Sequence, residues 1–274
     1  MFNPDNYFHS LLIIPILNIL LGVYNFLNFL HIPYPLGFAL ILLTVIIRLI
    51  LHPLTASQLK SARKLSKLKP EIDRINREFK GDKMRLQQEQ LKLYQQAGIN
   101  PAGGCLPLLV QMPILIALYN LFFQLLNADR AQVVSQINKV AYFPFLKISS
   151  LDLAFFGSNL AVKPSDWQAK GFWLLTIPLI TGLLQYWQTK MMTPNPPVGG
   201  SPARSEPTGQ APKKEEKKDD DMASTMQKQM TLMMPIMIGF FAYSFPLGLS
   251  LYWNTFTVFG IIQQYQIQKA EKIK

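Results

Sequence analysis

The sequence predicts an all-α integral membrane protein with five transmembrane helices, and three observations support this class. Of the 274 residues, 49% are hydrophobic and only 16% are charged; in a typical soluble domain about a quarter of the residues are charged. The mean hydropathy of the chain is positive. In addition, five apolar runs approach the length of roughly 17–25 residues that a helix needs to cross a bilayer.

The five apolar runs lie at residues 35–54, 105–126, 172–186, 230–245 and 247–265. From these runs we predict transmembrane helices at residues 34–54, 101–126, 171–190, 229–246 and 247–267. The third and fourth runs are short, and they contain Pro178 and Pro235. We therefore expect kinked helices or a locally thinned bilayer at these two segments.

Residues 1–33 form an N-terminal segment before the first predicted span. Its apolar run, residues 11–30, carries Asn18, Gly22 and Asn25 at spacings of four and three. On a helix these residues form a narrow polar stripe. No Lys or Arg precedes the run, so the basic region of a signal peptide is missing. We expect an amphipathic helix at the outer membrane interface, with a spanning helix as the alternative.

The distribution of Lys and Arg predicts the orientation of the chain. If the five spans alternate, residues 55–100, residues 188–229 and the tail from Gln266 place 11, 7 and 3 of these residues on one side. The loop 127–170 places 5 on the other side. The positive-inside rule then puts the N-terminus and this loop outside, and the tail at 268–274 in the cytoplasm.

The first cytoplasmic segment, residues 55–100, has the pattern of a helical hairpin. Its apolar residues recur at spacings of three and four, which is typical of a coiled-coil seam, and Gly81 interrupts the pattern. The other face carries the candidate contact residues Arg63, Lys64, Lys67, Arg74 and Arg77. Two interpretations remain open: a docking surface for a ribosome or an incoming chain, or a charged connector.

The second cytoplasmic segment, residues 191–228, is rich in Pro, Gly and charged residues. This composition predicts a disordered linker.

No catalytic or metal-binding pattern emerges from the sequence. The histidines His9, His31 and His52 are far apart, and Cys105 is the single cysteine. Motifs of nucleotide-binding, serine hydrolase and zinc protease sites are absent from the sequence. We expect no enzyme activity, metal or cofactor; an intramembrane protease is the less favoured alternative.

Arg48 lies inside an apolar run, LLTVIIRLILHPLT at residues 42–55. A charge in hydrocarbon is costly and usually faces a partner or a wet cavity. No carboxylate is available at its depth in the predicted spans. Two explanations stay open. Arg48 extends to the cytoplasmic interface, or it lies in a water-filled groove between helices, where it can attract an acidic segment.

Three stretches together resemble the YidC/Oxa family of membrane protein insertases. They are LLTVIIRLILHPLT, then NPAGGCLPLLVQMPILIALYNLFF at 100–123 and MMPIMIGFFAYSFPLGLSLYW at 234–253, and the likeness runs from about residue 36 to residue 267. His52 and Thr257 depart from the family pattern, which usually has an apolar residue and an asparagine there. The resemblance implies five helices around a hydrophilic groove containing Arg48, an outer amphipathic helix and a mobile cytoplasmic hairpin.

The resemblance also implies a function and a location. An insertase and chaperone of the bacterial cell membrane would accept the hydrophilic segment of a nascent membrane protein in the groove and release its apolar segment into lipid. The implied groove or lipid-facing residues are Arg48, Gln111, Gln185, Trp187, Tyr252 and Trp253. The implied partners are nascent membrane proteins, the ribosome, the Sec translocon and membrane lipids, with no specific nucleic acid sequence. The alternatives are an anion channel or solute transporter that uses Arg48, and a passive assembly factor.

Overall fold

The computed structural model describes residues 5–79, 81–98, 106–127, 130–192 and 221–272. Most of these residues are helical, in agreement with the predicted class. In chain order the α-helices are α1 (Ile14–Phe29), α2 (Pro35–Ile50), α3 (His52–Lys67), α4 (Lys69–Glu78), α5 (Lys83–Gln96), α6 (Leu106–Asn127), α7 (Arg130–Lys139), α8 (Trp167–Lys170), α9 (Thr176–Met192), α10 (Asp221–Ser244) and α11 (Leu247–Lys272). Most of the predicted linker at 191–228 lies outside the described residues.

A π-helical turn, His9–Ile13, runs directly into α1. Between α1 and α2 the chain reverses through His31 and Tyr34, whose φ angles are +55° and +58°. Pro35 then occupies the first position of α2, where its fixed φ favours a helix start and its missing N–H costs nothing. The short connection packs α1 against α2.

The segment predicted to be cytoplasmic forms three helices, with a bend of 60° between Pro35–Ile50 and His52–Ser61. The chain breaks at Leu68, so that Pro70 falls in the first turn of α4. Asp82 caps α5 by accepting the Arg85 N–H at 3.0 Å. The Gln90 amide donates to the Asn76 side-chain oxygen at 2.7 Å and joins α5 to α4.

The segment between α6 and α9 is predicted to lie outside the membrane and is called the outer segment below. It contains α7, α8, three 3₁₀ turns (Pro144–Leu146, Pro164–Asp166 and Phe172–Leu175) and a small antiparallel hairpin. The hairpin strands, β1 (Ala154–Phe155) and β2 (Ser158–Asn159), were not part of the all-α prediction. Phe155 lies against Gly37 of α2, where any side chain would collide with its ring. The N–H groups of Leu247 and Gly248 donate to the Val162 and Leu160 carbonyls, both at 2.8 Å, and attach the start of α11.

Two glycines bring α9 and α10 into close contact. A Cβ on Gly239 would lie 3.3 Å from the Pro178 carbonyl oxygen, and one on Gly182 would lie 3.5 Å from that of Pro235. Pro178 and Pro235, the prolines of the two short apolar runs, thus lie where α9 and α10 cross. Helix α9 also packs on α11, and α11 packs on α2, so the three helices α2, α9 and α11 meet.

Among the described residues, one helix, His9–Phe29, is long and apolar enough to cross a membrane, judged by length and composition alone. Pro35–Ile50 and His52–Ser61 meet the same criterion only as a bent pair, and Leu232–Ser244 is a shorter apolar helix. The number of spans, and the interfacial position of residues 11–30, therefore stay predictions.

Candidate functional site

Arg48 lies in the last turn of α2, and its side chain is buried against α11 with only 5% of its surface exposed. One guanidinium nitrogen, Nη2, donates to the Phe256 carbonyl at 2.6 Å, and Nη1 donates to Gln263 Oε1 at 3.3 Å. The guanidinium carbon lies 3.4 Å from the centre of the Phe256 ring. A side chain that extended to the interface would be exposed, so the structure favours the interhelical position.

Gly260 makes this contact with α11 possible. A Cβ at this position would lie 2.8 Å from Arg48 Nη2 and would also collide with the Gln188 amide nitrogen of α9. The missing side chain lets the guanidinium reach the helix backbone at Phe256. Arg48, Gln188 and Gly260 therefore mark the point where α2, α9 and α11 converge.

Helix α11 also carries buried polar atoms on a second face, about a third of a turn away from the face that contacts Arg48. Ser250, Asn254 and Thr257 share one helix face, because they are spaced by four and three residues. Within the described part of the chain, these side chains, Gln263 Nε2 and Arg48 Nε contain buried polar atoms that form no hydrogen bond. Buried polar atoms are almost always satisfied by protein, water or a ligand. At the convergence of the three helices, Arg48 Nε and Gln263 Nε2 thus offer donors to a polar molecule.

A second polar contact joins α9 to α11 on the same side. The Trp253 indole N–H donates to Gln185 Oε1 at 3.2 Å. The Thr189 hydroxyl donates to the Gln185 carbonyl at 2.8 Å. Gln185 is buried, so its amide is held between the two helices.

The charge of the site is positive. In the described ranges, no carboxylate forms an ion pair with Arg48, whose hydrogen-bond acceptors are a carbonyl and an amide oxygen. The same ranges contain no group of three His, Cys, Asp or Glu residues that could hold a metal ion. The arrangement can attract and hydrogen-bond an acidic or polar segment.

The sequence profile of the 60Kd inner membrane protein family matches residues 26–274, which is most of the chain. The chain belongs to this family, the YidC/Oxa family. Its relatives include the inner membrane ALBINO3-like protein 1 of Chlamydomonas reinhardtii chloroplasts, which is 32% identical over 254 residues. The membrane protein insertases YidC of Rickettsia akari and Helicobacter pylori are 31% and 28% identical over 233 and 234 residues.

These alignments cover 89%, 85% and 85% of this chain but only 46%, 35% and 33% of the three relatives. The chain thus spans less than half the length of the curated relatives it matches. Membership of the family identifies a transmembrane protein and confirms the resemblance predicted from the three sequence stretches.

The structure brings four of the six predicted groove residues to the convergence of α2, α9 and α11 or beside it. Arg48 and Tyr252 are buried, and Gln185 contacts Trp253. Trp187 instead lies on the outer face of α9 with 60% of its surface exposed. The backbone of Gln111 is in α6, but its side chain lies outside the part that the structure describes.

The hairpin residues lie apart from Arg48, on α3 and α4. Lys64, Lys67, Arg74 and Arg77 are exposed, and the side chain of Arg63 lies outside the described part. On α5, Met84 and Leu91 are exposed apolar residues beside this basic surface.

Sequence reasoning did not select Phe256, Gly260, Gln263 or Gln188 as site residues. A signal was present, because Phe256, Gly260 and Gln263 repeat at helical spacing on one face. What the sequence lacked was the pairing of α2 with α11, which joins residues more than 200 positions apart.

Proposed function

We propose that this protein is a membrane protein insertase and chaperone. It accepts the hydrophilic segment of a nascent membrane protein in a groove between α2, α9 and α11 that opens to the cytoplasm. It then releases the apolar segment into lipid. The proposal rests on family membership and on one observation: a buried arginine whose Nε, like Gln263 Nε2 beside it, has no hydrogen-bond partner in the described part of the chain.

The unsatisfied donors at Arg48 suit an extended polypeptide. A peptide backbone presents carbonyl acceptors, and Arg48 Nε and Gln263 Nε2 can donate to them. Replacing lost hydration in this way lowers the cost of moving a polar segment into the membrane. The positive charge of Arg48 favours segments that carry Asp or Glu.

Binding requires the guanidinium to change partners. In the structure Arg48 donates to the Phe256 carbonyl and, at a longer distance, to the flexible end of Gln263. An incoming carboxylate would form stronger bonds than the Gln263 amide forms, because donor and acceptor would then both be charged. We infer that the acidic segment displaces Gln263, while the guanidinium stays over the Phe256 ring.

The outer faces of α9 and α11 supply a path for the apolar segment. Leu179, Leu183 and Trp187 on α9, with Val258 and Ile262 on α11, are largely exposed apolar side chains. In hydrocarbon such faces contact lipid tails or another apolar helix at little cost. A substrate helix would leave along this surface while its polar tail occupies the groove.

We also propose that α1 lies at the outer membrane interface. Its polar stripe bonds to the outer segment: Asn18 to Val140 and Tyr142, and Asn25 to Phe145. The stripe extends over two turns of α1. These two turns therefore lie beside the outer segment. The basic hairpin of α3–α5 would lie in the cytoplasm and guide the ribosome or the incoming chain.

Reconstitution tests the proposed function. The purified full-length protein is placed in liposomes, and a single-span substrate with an acidic outer tail is translated in their presence. We expect the tail to become protected from external protease, and liposomes without the protein to give the background. Protection no greater than this background would refute insertase activity.

A further inference from the structure

An open cavity of about 670 Å³ lies at the surface of the outer segment, between α7 and the loop that follows it. Its lining includes Lys139, Lys147, Ser135 and Ser149, and none of its lining residues is acidic. None of the residues around Arg48 contributes to it. Its volume falls within the range of small-molecule sites.

The side chain of Asn138 joins the two parts of the chain that carry the lysines. It accepts the Ile148 N–H at 2.9 Å and donates to the Ile148 carbonyl at 2.8 Å. Lys139 follows Asn138, Lys147 precedes Ile148, and both lysines line the cavity. Two cations that line one cavity repel each other, so an anion between them is favoured.

The loop is fixed before any ligand binds. Asn18 of α1 donates to the Val140 carbonyl at 3.0 Å and accepts the Tyr142 N–H at 2.8 Å. Asn25 donates to the Phe145 carbonyl at 2.9 Å. A loop held in this way loses little conformational entropy on binding, which favours affinity.

The same loop presents an apolar edge. The rings of Phe143 and Phe145 stack with centroids 5.4 Å apart, although 55% and 71% of these residues are exposed. Exposed aromatic rings beside basic residues are typical of protein surfaces at the level of lipid headgroups. A free anion would contact the lysines alone, whereas a phospholipid would contact both lysines and rings.

We propose that this cavity binds the phosphodiester headgroup of an anionic phospholipid. Lys139 and Lys147 hold the phosphate, the serine hydroxyls donate to its oxygens, and Phe143 and Phe145 contact the glycerol and the upper acyl chains. The predicted orientation assigns the lipid to the outer leaflet. The site tethers the outer segment, and α1 with it, to the membrane surface.

Lipid binding to the detergent-purified full-length protein tests the proposal. Native mass spectrometry measures the affinity for dioctanoyl phosphatidylglycerol and for the zwitterionic dioctanoyl phosphatidylcholine. We expect Lys139→Gln with Lys147→Gln to weaken phosphatidylglycerol binding about 30-fold, from about fivefold per lysine. The paired Lys→Arg changes keep the charge and should keep the affinity.

A matched control removes the same charge elsewhere in the outer segment. Lys163→Gln with Lys170→Gln lies outside the cavity and should leave binding unchanged. Equal weakening by both double variants would show a general charge effect and overturn the proposal, and so would undiminished binding after the changes at Lys139 and Lys147.

A third arm separates a lipid from a free anion. Phe143→Ser with Phe145→Ser should weaken phosphatidylglycerol binding and leave the binding of inorganic phosphate unchanged. If inorganic phosphate binds as tightly as the lipid, or the Phe variants bind lipid normally, the site is not a lipid site. The assay requires no insertion, so its result is independent of the proposed insertase function.

Discussion

Among the described residues, Arg48 is the only charged side chain that is buried, and replacing it with alanine removes this charge from the proposed site. The structure allows the effect to be bounded. A substrate carboxylate about 4 Å from the guanidinium gains about 4 kcal/mol at an effective dielectric constant near 20. To bind it, Arg48 gives up part of its present charge-assisted hydrogen bonding, worth about 1.5–3 kcal/mol.

The net gain that alanine removes is therefore about 1–2.5 kcal/mol, or about five- to seventyfold in the rate of insertion. We expect Arg48→Ala to slow insertion of a single-span substrate with an acidic outer tail by this factor. Arg48→Lys loses the planar contacts to Phe256 and Gln263. Because it keeps the charge, most of the activity should remain.

The assay follows protease protection of the tail in liposomes that contain equal amounts of each variant. A second substrate, with Asn and Gln in place of the tail's Asp and Glu, is the control. The alanine and wild-type proteins should insert this neutral substrate at similar rates. Equal rates for all three proteins on the acidic substrate would refute a role for the charge at Arg48.

Three further predictions follow from other contacts. Gly260→Ala should displace the Arg48 and Gln188 side chains and slow insertion of the acidic substrate. It should also lower the thermal unfolding temperature slightly, because the loss of Arg48 hydrogen bonding, about 1.5–3 kcal/mol, exceeds the gain of about 1 kcal/mol in helix propensity. A large loss of thermal stability would instead indicate a packing defect. Asn18→Ala should lower the free energy of unfolding by about 1–3 kcal/mol, because it removes two partly buried hydrogen bonds to the outer segment, each worth about 0.5–1.5 kcal/mol. An unchanged melting temperature would contradict this. Deletion of residues 60–97 should reduce insertion of ribosome-bound substrates, and undiminished insertion would leave the hairpin a connector.

The helices of the apolar segments could be predicted from composition and periodicity, and their starts from local chemistry. Pro35 begins α2 and Asp82 caps α5, as the preferences of these residues require. The small hairpin at 154–159 could not be predicted, because two-residue strands leave no periodic signal. Its position depends on the packing of Phe155 against Gly37, which is a tertiary contact.

The polar stripe of α1 shows the limit of pattern reasoning. The spacing of Asn18 and Asn25 predicted an amphipathic helix, and both do lie on one face. Yet Asn18 is buried and bonded to the outer segment rather than to water or lipid headgroups. A stripe identifies a face that needs polar partners, but it does not say whether protein or solvent supplies them.

Some residues of the candidate site could be identified from the sequence, and others could not. Arg48 stands out in the sequence because a charge in an apolar run is costly wherever it lies. Gln263 and Gly260 do not stand out, because their importance comes from the packing of α11 against α2. Sequence alone thus identifies the charge, and the fold identifies the groups that hold it.

Accessibility beside Arg48 tests the central claim, a groove that opens to the cytoplasm and holds an acidic nascent segment. The protein carries Gln263→Cys, with the single native cysteine changed by Cys105→Ser, and a membrane-impermeant maleimide is added from either side. Leu249→Cys, a buried site near the outer end of α11, is the control. We predict that the thiol at position 263 reacts from the cytoplasm only and is protected by a ribosome-bound chain with an acidic tail, while the control does not react. Labelling from outside, no labelling, or labelling that the nascent chain leaves unchanged would contradict the claim.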